Sequence, residues 1–201
     1  MKKRMTSLFL ALALCLTLLP AAALAADEDA PDTLLVGGTN VKGGGYWTTT
    51  SGTLASSDVN TWSVHYDTST NTLTLKNADI TGAASDETLS LSVGIYAYSS
   101  SGDVSLNIEL QGVNEIFESS YGIWVYSYSS SSSTNAGNAT LTIEGEGSLN
   151  ASGSSSGILV QSNGGDATLT IQNADVTAEN SSPSGDGVTV RAGSSSPPLC
   201  L

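Results

Sequence analysis

The chain has 201 residues, 19 of them acidic and 6 basic, for a formal charge of −13 at neutral pH. Three of the six cations, Lys2, Lys3 and Arg4, crowd the first residues, leaving Lys42, Lys76 and Arg191 for the rest. Three cations cannot neutralise a run of phosphates, which excludes nucleic acid and anionic membrane surfaces as partners.

In chain order, Lys2-Lys3-Arg4 is followed by an apolar run from Leu8 to Leu19 and then Ala23-Leu24-Ala25. This is the charge, apolar and small-residue order of a secretory signal peptide, with cleavage expected after Ala25. The apolar run falls well short of the roughly 20 residues a spanning helix needs. Cleavage removes Cys15 and leaves Cys200 as the sole cysteine, so no intramolecular disulfide is expected. The acidity of the exported chain reads first as a solubility device.

Residues 26–32 read as a solvated, disordered leader. Residues 33–66 hold short β-prone pieces, Leu34-Leu35-Val36 and Trp62-Ser63-Val64-His65-Tyr66, between glycine and Thr/Ser stretches. They read as an N-terminal β cap over an otherwise open sheet edge. Residues 67–193 carry two interleaved phrases. Leu73-Thr74-Leu75-Lys76-Asn77-Ala78-Asp79-Ile80-Thr81 returns as Leu169-Thr170-Ile171-Gln172-Asn173-Ala174-Asp175-Val176-Thr177, with looser copies from Leu106 and Leu141. A glycine-led phrase recurs as Gly94-Ile95-Tyr96-Ala97, Gly122-Ile123-Trp124-Val125, Gly157-Ile158-Leu159-Val160 and Gly187-Val188-Thr189-Val190, at steps of 28, 35 and 30 residues. Periods of this size belong to solenoids, whose single turns cannot bury an apolar face alone.

Alternation assigns the inward side chains. Leu73/Leu75, Leu106/Ile108, Leu141/Ile143 and Leu169/Ile171 form one expected ladder. Ile80, Ile116, Leu149 and Val176 form a second, and Ile95/Ala97, Ile123/Val125, Ile158/Val160 and Val188/Val190 a third. Three short strands per repeat and no helical periodicity predict an all-β, three-sided parallel β-helix of about four coils. Gly102-Asp103, Gly137-Asn138 and Gly165-Asp166 hold the same place before successive strands, where glycine tolerates positive φ and Asx bonds its own backbone. The Ser-rich insertion Ser127 to Asn135 is expected to be a mobile loop, and residues 194–201 a disordered or truncated tail. An open last coil around Val188 and Val190 is expected to fray or to associate end to end.

These residues resemble secreted bacterial carbohydrate-binding β-helix proteins, related in shape to the pectate lyases. The resemblance lies in Tyr66-Asp67-Thr68-Ser69-Thr70-Asn71-Thr72-Leu73-Thr74-Leu75, the Asn-Ala-Asp units and the Gly-Ile-Tyr/Trp phrases, across about residues 33–193. It implies a right-handed β-helix, secreted or held at the bacterial cell surface, that binds plant-type polysaccharide, sometimes with calcium.

If Ile95, Ala97, Ile123 and Val125 face inward, then Tyr96, Tyr98, Trp124 and Tyr126 face outward, with Tyr96 beside Trp124 and Tyr98 beside Tyr126. Flat aromatics offer apolar area to the C–H faces of sugar rings and a polar handle to their hydroxyls. These four are the candidate carbohydrate-binding residues, with Leu159/Gln161 and Thr189/Arg191 as a polar extension. The competing reading is a cross-strand aromatic ladder that only stiffens the sheet of a surface stalk or adhesin-like spacer. A Ca2+ ion among Asp103, Asp166, Asp186 and turn carbonyls would suit a hard cation's taste for loop oxygens, although no calcium-loop motif is present. Catalysis finds little support. A lyase of this shape uses a base beside acid-bound calcium, and Glu115, Glu118, Glu144 and Glu146 carry no pairing motif for glycoside hydrolysis. His65 lies in the cap without a nucleophile motif and reads as structural.

Overall fold

The structure, a computed structural model, describes residues 29–81, 92–100, 102–118, 120–129, 137–183 and 185–193. The expected signal peptide, the tail from 194 and most of the Ser-rich insertion lie outside the described residues. The described part is all-β, without a helix.

The strands form three sheets. Sheet 1 runs β17 (Val188–Arg191), β14 (Ser156–Ser162), β11 (Tyr121–Ser127), β8 (Val93–Ser99), β1 (Thr33–Val36), β2 (Thr39–Asn40). Sheet 2 runs β16 (Asp175–Asn180), β13 (Ser148–Gly153), β10 (Val113–Phe117), β7 (Asp79–Ile80). Sheet 3 runs β15 (Ala167–Gln172), β12 (Ala139–Glu144), β9 (Val104–Gln111), β6 (Thr72–Lys76), β5 (Val64–Asp67), β3 (Gly45–Thr50), β4 (Thr53–Ser56). From β6 onward the chain visits sheets 3, 2 and 1 in fixed rotation, and each strand pairs in parallel with the next strand of its own sheet. Inward aliphatics of all three sheets meet in one core that includes Leu106, Ile108, Ile116, Ile123 and Leu141.

The register departs from the sequence-based ladders in two places. Leu73 pairs with Ile108 and Leu75 with Leu110, two residues further on than the repeat phrases suggest. A slip of two keeps every side chain on its face, so burial survives it. In sheet 2, Ile80 and Ile116 align with Ala151, while Leu149 and Val176 align with Asn114. Asn114 is 1 % exposed in this apolar row. It is satisfied there: its Oδ1 accepts the Ala78 N–H at 2.9 Å and its Nδ2 donates to Ser148 O at 3.1 Å.

Local chemistry explains why the repeat phrases recur. The residue that immediately follows β6, β9, β12 and β15 is Asn77, Gly112, Gly145 and Asn173, with φ of 49°, 70°, 112° and 52°. Asn and Gly are the residues that enter the left-handed region at least cost. At the corner between sheets 1 and 3 the Asx residues act differently from expectation. They bond the following repeat and not their own backbone: Asp103 Oδ1 accepts the Asn138 N–H at 2.6 Å, and Asn138 Oδ1 accepts the Asp166 N–H at 2.9 Å. Ser127, expected to open a mobile loop, is buried and donates from Oγ to Gly102 O at 2.8 Å; Ser162 does the same to Gly137 O at 2.8 Å.

At the N-terminal end, β1 lies antiparallel to β8, and β5, β3 and β4 extend sheet 3 antiparallel to β6. The leader is also tied down where it is described, against the expectation of disorder through residue 32. Asp29 O accepts the Ser105 N–H at 2.7 Å, and the Asp32 carboxylate accepts the N–H and Oγ–H of Ser100, each at 2.9 Å. These bonds, with Lys42 nearby, hold the Asp32 carboxyl below the ordinary aspartate range. A lowered folded-state pKa means that the tether contributes above the ordinary aspartate range and is lost as the pH falls through the folded value. Protection of the Ser100 amide from hydrogen exchange should therefore fade on acidification, and should already be absent at neutral pH in Asp32→Ala. Equal protection in both proteins at neutral pH would refute the tether.

At the opposite end no described strand pairs beyond β15, β16 and β17. β15, β16 and β17 are the edge strands of their sheets, and Ile171, Val188 and Val190 are 44–45 % exposed.

Candidate functional site

The outward face of sheet 1 is built by the glycine that leads each phrase. Val93 and Tyr121 belong to the outward cluster, whereas Ile95 and Ile123, two residues later, belong to the core. Simple alternation would put them on one face, so the strand changes face at Gly94 and at Gly122. There is no room for a side chain at this corner: a Cβ on Gly122 would stand 2.6 Å from Gly157 O and 3.2 Å from Ser152 N and O. Downstream of the glycine, normal alternation resumes and aims Tyr96, Tyr98, Trp124 and Tyr126 away from the core.

The parallel register brings the four together. Tyr96 pairs with Trp124 and Tyr98 with Tyr126, and the row continues through Leu159 and Gln161 to Thr189 and Arg191. Ring centroids lie 5.3 Å apart for Tyr96–Trp124, 5.8 Å for Tyr98–Tyr126 and 5.4 Å for Trp124–Tyr126. Tyr121 adds a ring 5.1 Å from Trp124, and Tyr128 one 6.3 Å from Tyr126. All these spacings fall in the range where aromatic pairs attract.

Facing away from the core does not make the whole row a surface. Tyr96 is 4 % and Trp124 7 % exposed, packed with Val93 and Leu159 into a second apolar cluster that Leu35, Tyr98, Tyr121 and Tyr126 flank. The expectation of four solvent-facing rings is corrected here: Tyr98 and Tyr126 are half-buried, and Tyr128 is 39 % exposed. Trp124 Nε1 is buried without a hydrogen-bond partner. Desolvation raises the phenol pKa of both Tyr98 and Tyr126 above the ordinary value, with smaller contributions from the neighbouring phenols.

Where the outward row shrinks from Trp124 through Leu159 to Thr189, a cavity of about 290 Å³ opens between β14, β17 and the turns that precede them. Tyr121 and Leu159 border it, and its surface is mostly polar, with Ser156, Thr189, Asp186 and Arg191 among the lining residues. Neither Tyr121 nor Asp186 was foreseen from the sequence as a member of this face. The face switch at Gly122 is invisible to a rule of strict alternation.

The other sequence candidates are not gathered into a centre. Asp103 and Asp166 sit in turns entering sheet 3 with Asn138 between them, while Asp186 lines the cavity beside sheet 1. Among the described residues no group of three or more His, Cys, Asp or Glu side chains is placed to hold a metal ion. Glu115, Glu144 and Glu146 are exposed, and Glu118 is buried, accepting the Ser92 hydroxyl at 2.7 Å. His65 stacks on Tyr46 with centroids 4.2 Å apart and lies 5.6 Å from Trp62, whose face Lys76 Nζ approaches to 5.0 Å. This second aromatic group, on and beside β3 and β5, was not foreseen either.

No protein-family model, curated protein or solved structure matches the chain.

Proposed function

We propose that the chain is a right-handed, three-sided parallel β-helix of about four coils with an N-terminal β cap, exported and displayed outside the cell, where it holds polysaccharide without cleaving it. The observation that carries this reading is the registered aromatic row on the outer face of sheet 1. In that row Tyr96 and Trp124 are the packed base, and the phenol edges of Tyr98, Tyr126 and Tyr128 are what a sugar chain meets. Phenols that are partly desolvated before any ligand arrives have already given up part of their hydration, which favours contact with the C–H face of a pyranose and a hydrogen bond to its hydroxyls. The charge of −13 supports an extracellular glycan over any polyanion as the partner.

A second reading, the stalk or spacer, is favoured by the enclosure of Tyr96 and Trp124, since a ladder that only stiffens a sheet would pack in the same way. Retention on insoluble polysaccharide separates the two. Tyr98→Ala/Tyr126→Ala should weaken binding to cellulose or xylan about tenfold, equivalent to ~1.4 kcal/mol, while its far-UV spectrum stays that of a β protein. Absence of wild-type retention on every polysaccharide would leave the spacer in place, and release of unsaturated or new reducing-end products would replace both readings with an enzyme.

The edge strands at this end of the described residues bear on the partners of the chain in either reading. Edge strands with exposed Ile171, Val188 and Val190 favour end-to-end association of two copies.

A further inference from the structure

We propose that the cavity beside β14 and β17 is a subsite for one neutral sugar ring carrying adjacent hydroxyls, at the polar end of the aromatic row. This inference rests on the polysaccharide-binding reading and adds the chemical class of the ligand and the residues that select it.

The cavity is a consequence of the register. Trp124, Leu159 and Thr189 occupy equivalent outward positions on successive strands, so the side-chain volume falls step by step and leaves a hollow of about 290 Å³. That size lies at the bottom of the range for ligand pockets, roughly 300–1,000 Å³, and suits a single ring. Its lining is mostly polar, with Tyr121 and Leu159 the two large side chains that carry apolar surface. Tyr121 itself is held by its contact with Trp124 at 5.1 Å.

The polar lining offers both signs of charge and a hydroxyl pair. Arg191 is the sole arginine beyond Arg4, and it shares the cavity with Asp186. The Ser156 and Thr189 hydroxyls lie 3.0 Å apart on adjacent strands. Asn180 Nδ2 donates to Ser155 O at 2.6 Å and Asn180 Oδ1 accepts the Ser182 N–H at 2.6 Å, which ties the lining residue Ser155 to β16.

Each ligand class meets this lining differently. A carboxylate or phosphate would gain Arg191 but face Asp186 and a chain of formal charge −13. An amine would gain Asp186 but face Arg191. A neutral diol satisfies both, accepting from the guanidinium through one oxygen and donating to the carboxylate through the other. The subsite therefore selects neutral over uronic-acid sugars.

The test titrates the full chain with xylotetraose and cellotetraose as neutral probes and with tetragalacturonate as the acidic probe, read by calorimetry and by saturation-transfer NMR. At least one neutral tetramer should bind at least tenfold more tightly than the galacturonate. Asp186→Asn and Arg191→Gln should each cost that tetramer tenfold or more without moving the melting midpoint, since both side chains are exposed. Binding that is lost in Tyr98→Ala/Tyr126→Ala but kept in both cavity variants would overturn the subsite and leave the polysaccharide reading intact. Tighter binding of tetragalacturonate would overturn the selectivity, and no binding of any probe to the wild type would overturn subsite and reading together.

Discussion

Trp124→Ala is expected to lower stability by about 3–5 kcal/mol, the usual cost of emptying a large aromatic site, and so to lower the melting midpoint by on the order of 10 °C. The side chain is 7 % exposed and packs between Tyr96 and Leu159 on neighbouring strands, with Tyr121 and Tyr126 along its own. Removing it unseats these four outward residues together. Trp124→Phe should cost much less, because it keeps most of the ring and discards an indole N–H that has no partner. Thermal melts of the two variants against wild type check both statements. A midpoint unchanged within roughly 2 °C in the alanine variant, well under the shift expected for such a loss, would mean that the ring is free and not packed. The result also governs how binding is tested: loss of glycan retention in Trp124→Ala would report a collapsed face, so the informative substitutions are at Tyr98 and Tyr126.

Gly122→Ala is the second large effect. The added Cβ would stand 2.6 Å from Gly157 O, a backbone atom of the next strand in sheet 1, and 3.2 Å from the backbone of Ser152 in sheet 2. Backbone on both sides cannot swing aside as a side chain would, so sheets 1 and 2 must separate at that corner. The cost is expected at about 3 kcal/mol, the upper end for overpacking a tight interior, or roughly 6–12 °C in melting midpoint. Gly43→Ala and Gly102→Ala serve as controls, because a Cβ at either position meets nothing within 4 Å. A Gly122 variant as stable as these controls would sink the corner argument.

Much of the architecture could be read from short stretches of residues. The alternation in Leu106-Asn107-Ile108 and in Leu141-Thr142-Ile143 fixes which side chains turn inward, and these are buried to the last atom. The Gly-Ile-Tyr and Gly-Ile-Trp phrases predicted the neighbours Tyr96–Trp124 and Tyr98–Tyr126 because both phrases start from the same glycine, and the register follows that alignment. The Leu73 phrase misled by two residues, since Leu, Ile and Val are interchangeable along an apolar row and the repeat alone cannot tell Leu106 from Ile108 as its partner. Asn114 was hidden for the opposite reason. A polar residue at an inward position looks like an error until its partners, the Ala78 N–H and Ser148 O, are supplied by the strands on either side.

The candidate site was half legible. Direction came from parity, which is a property of one strand, and it placed Tyr96 and Trp124 away from the core. Exposure is a property of what lies alongside, and that came from residues far along the chain: Leu35 of β1 pairs with Tyr96, and Leu159 of β14 pairs with Trp124. The cavity with Asp186 and Arg191 likewise exists only because three strands taper side by side.

By itself, then, the sequence determined an all-β chain with inward aliphatics and an outward aromatic row, because period-two alternation and recurring phrases are written locally. The tertiary structure alone decided the register of the first repeat, the covering of two of the four rings and the hollow beside them. Each of these depends on which backbone segments become neighbours, and side-chain pattern within a single segment carries no record of that.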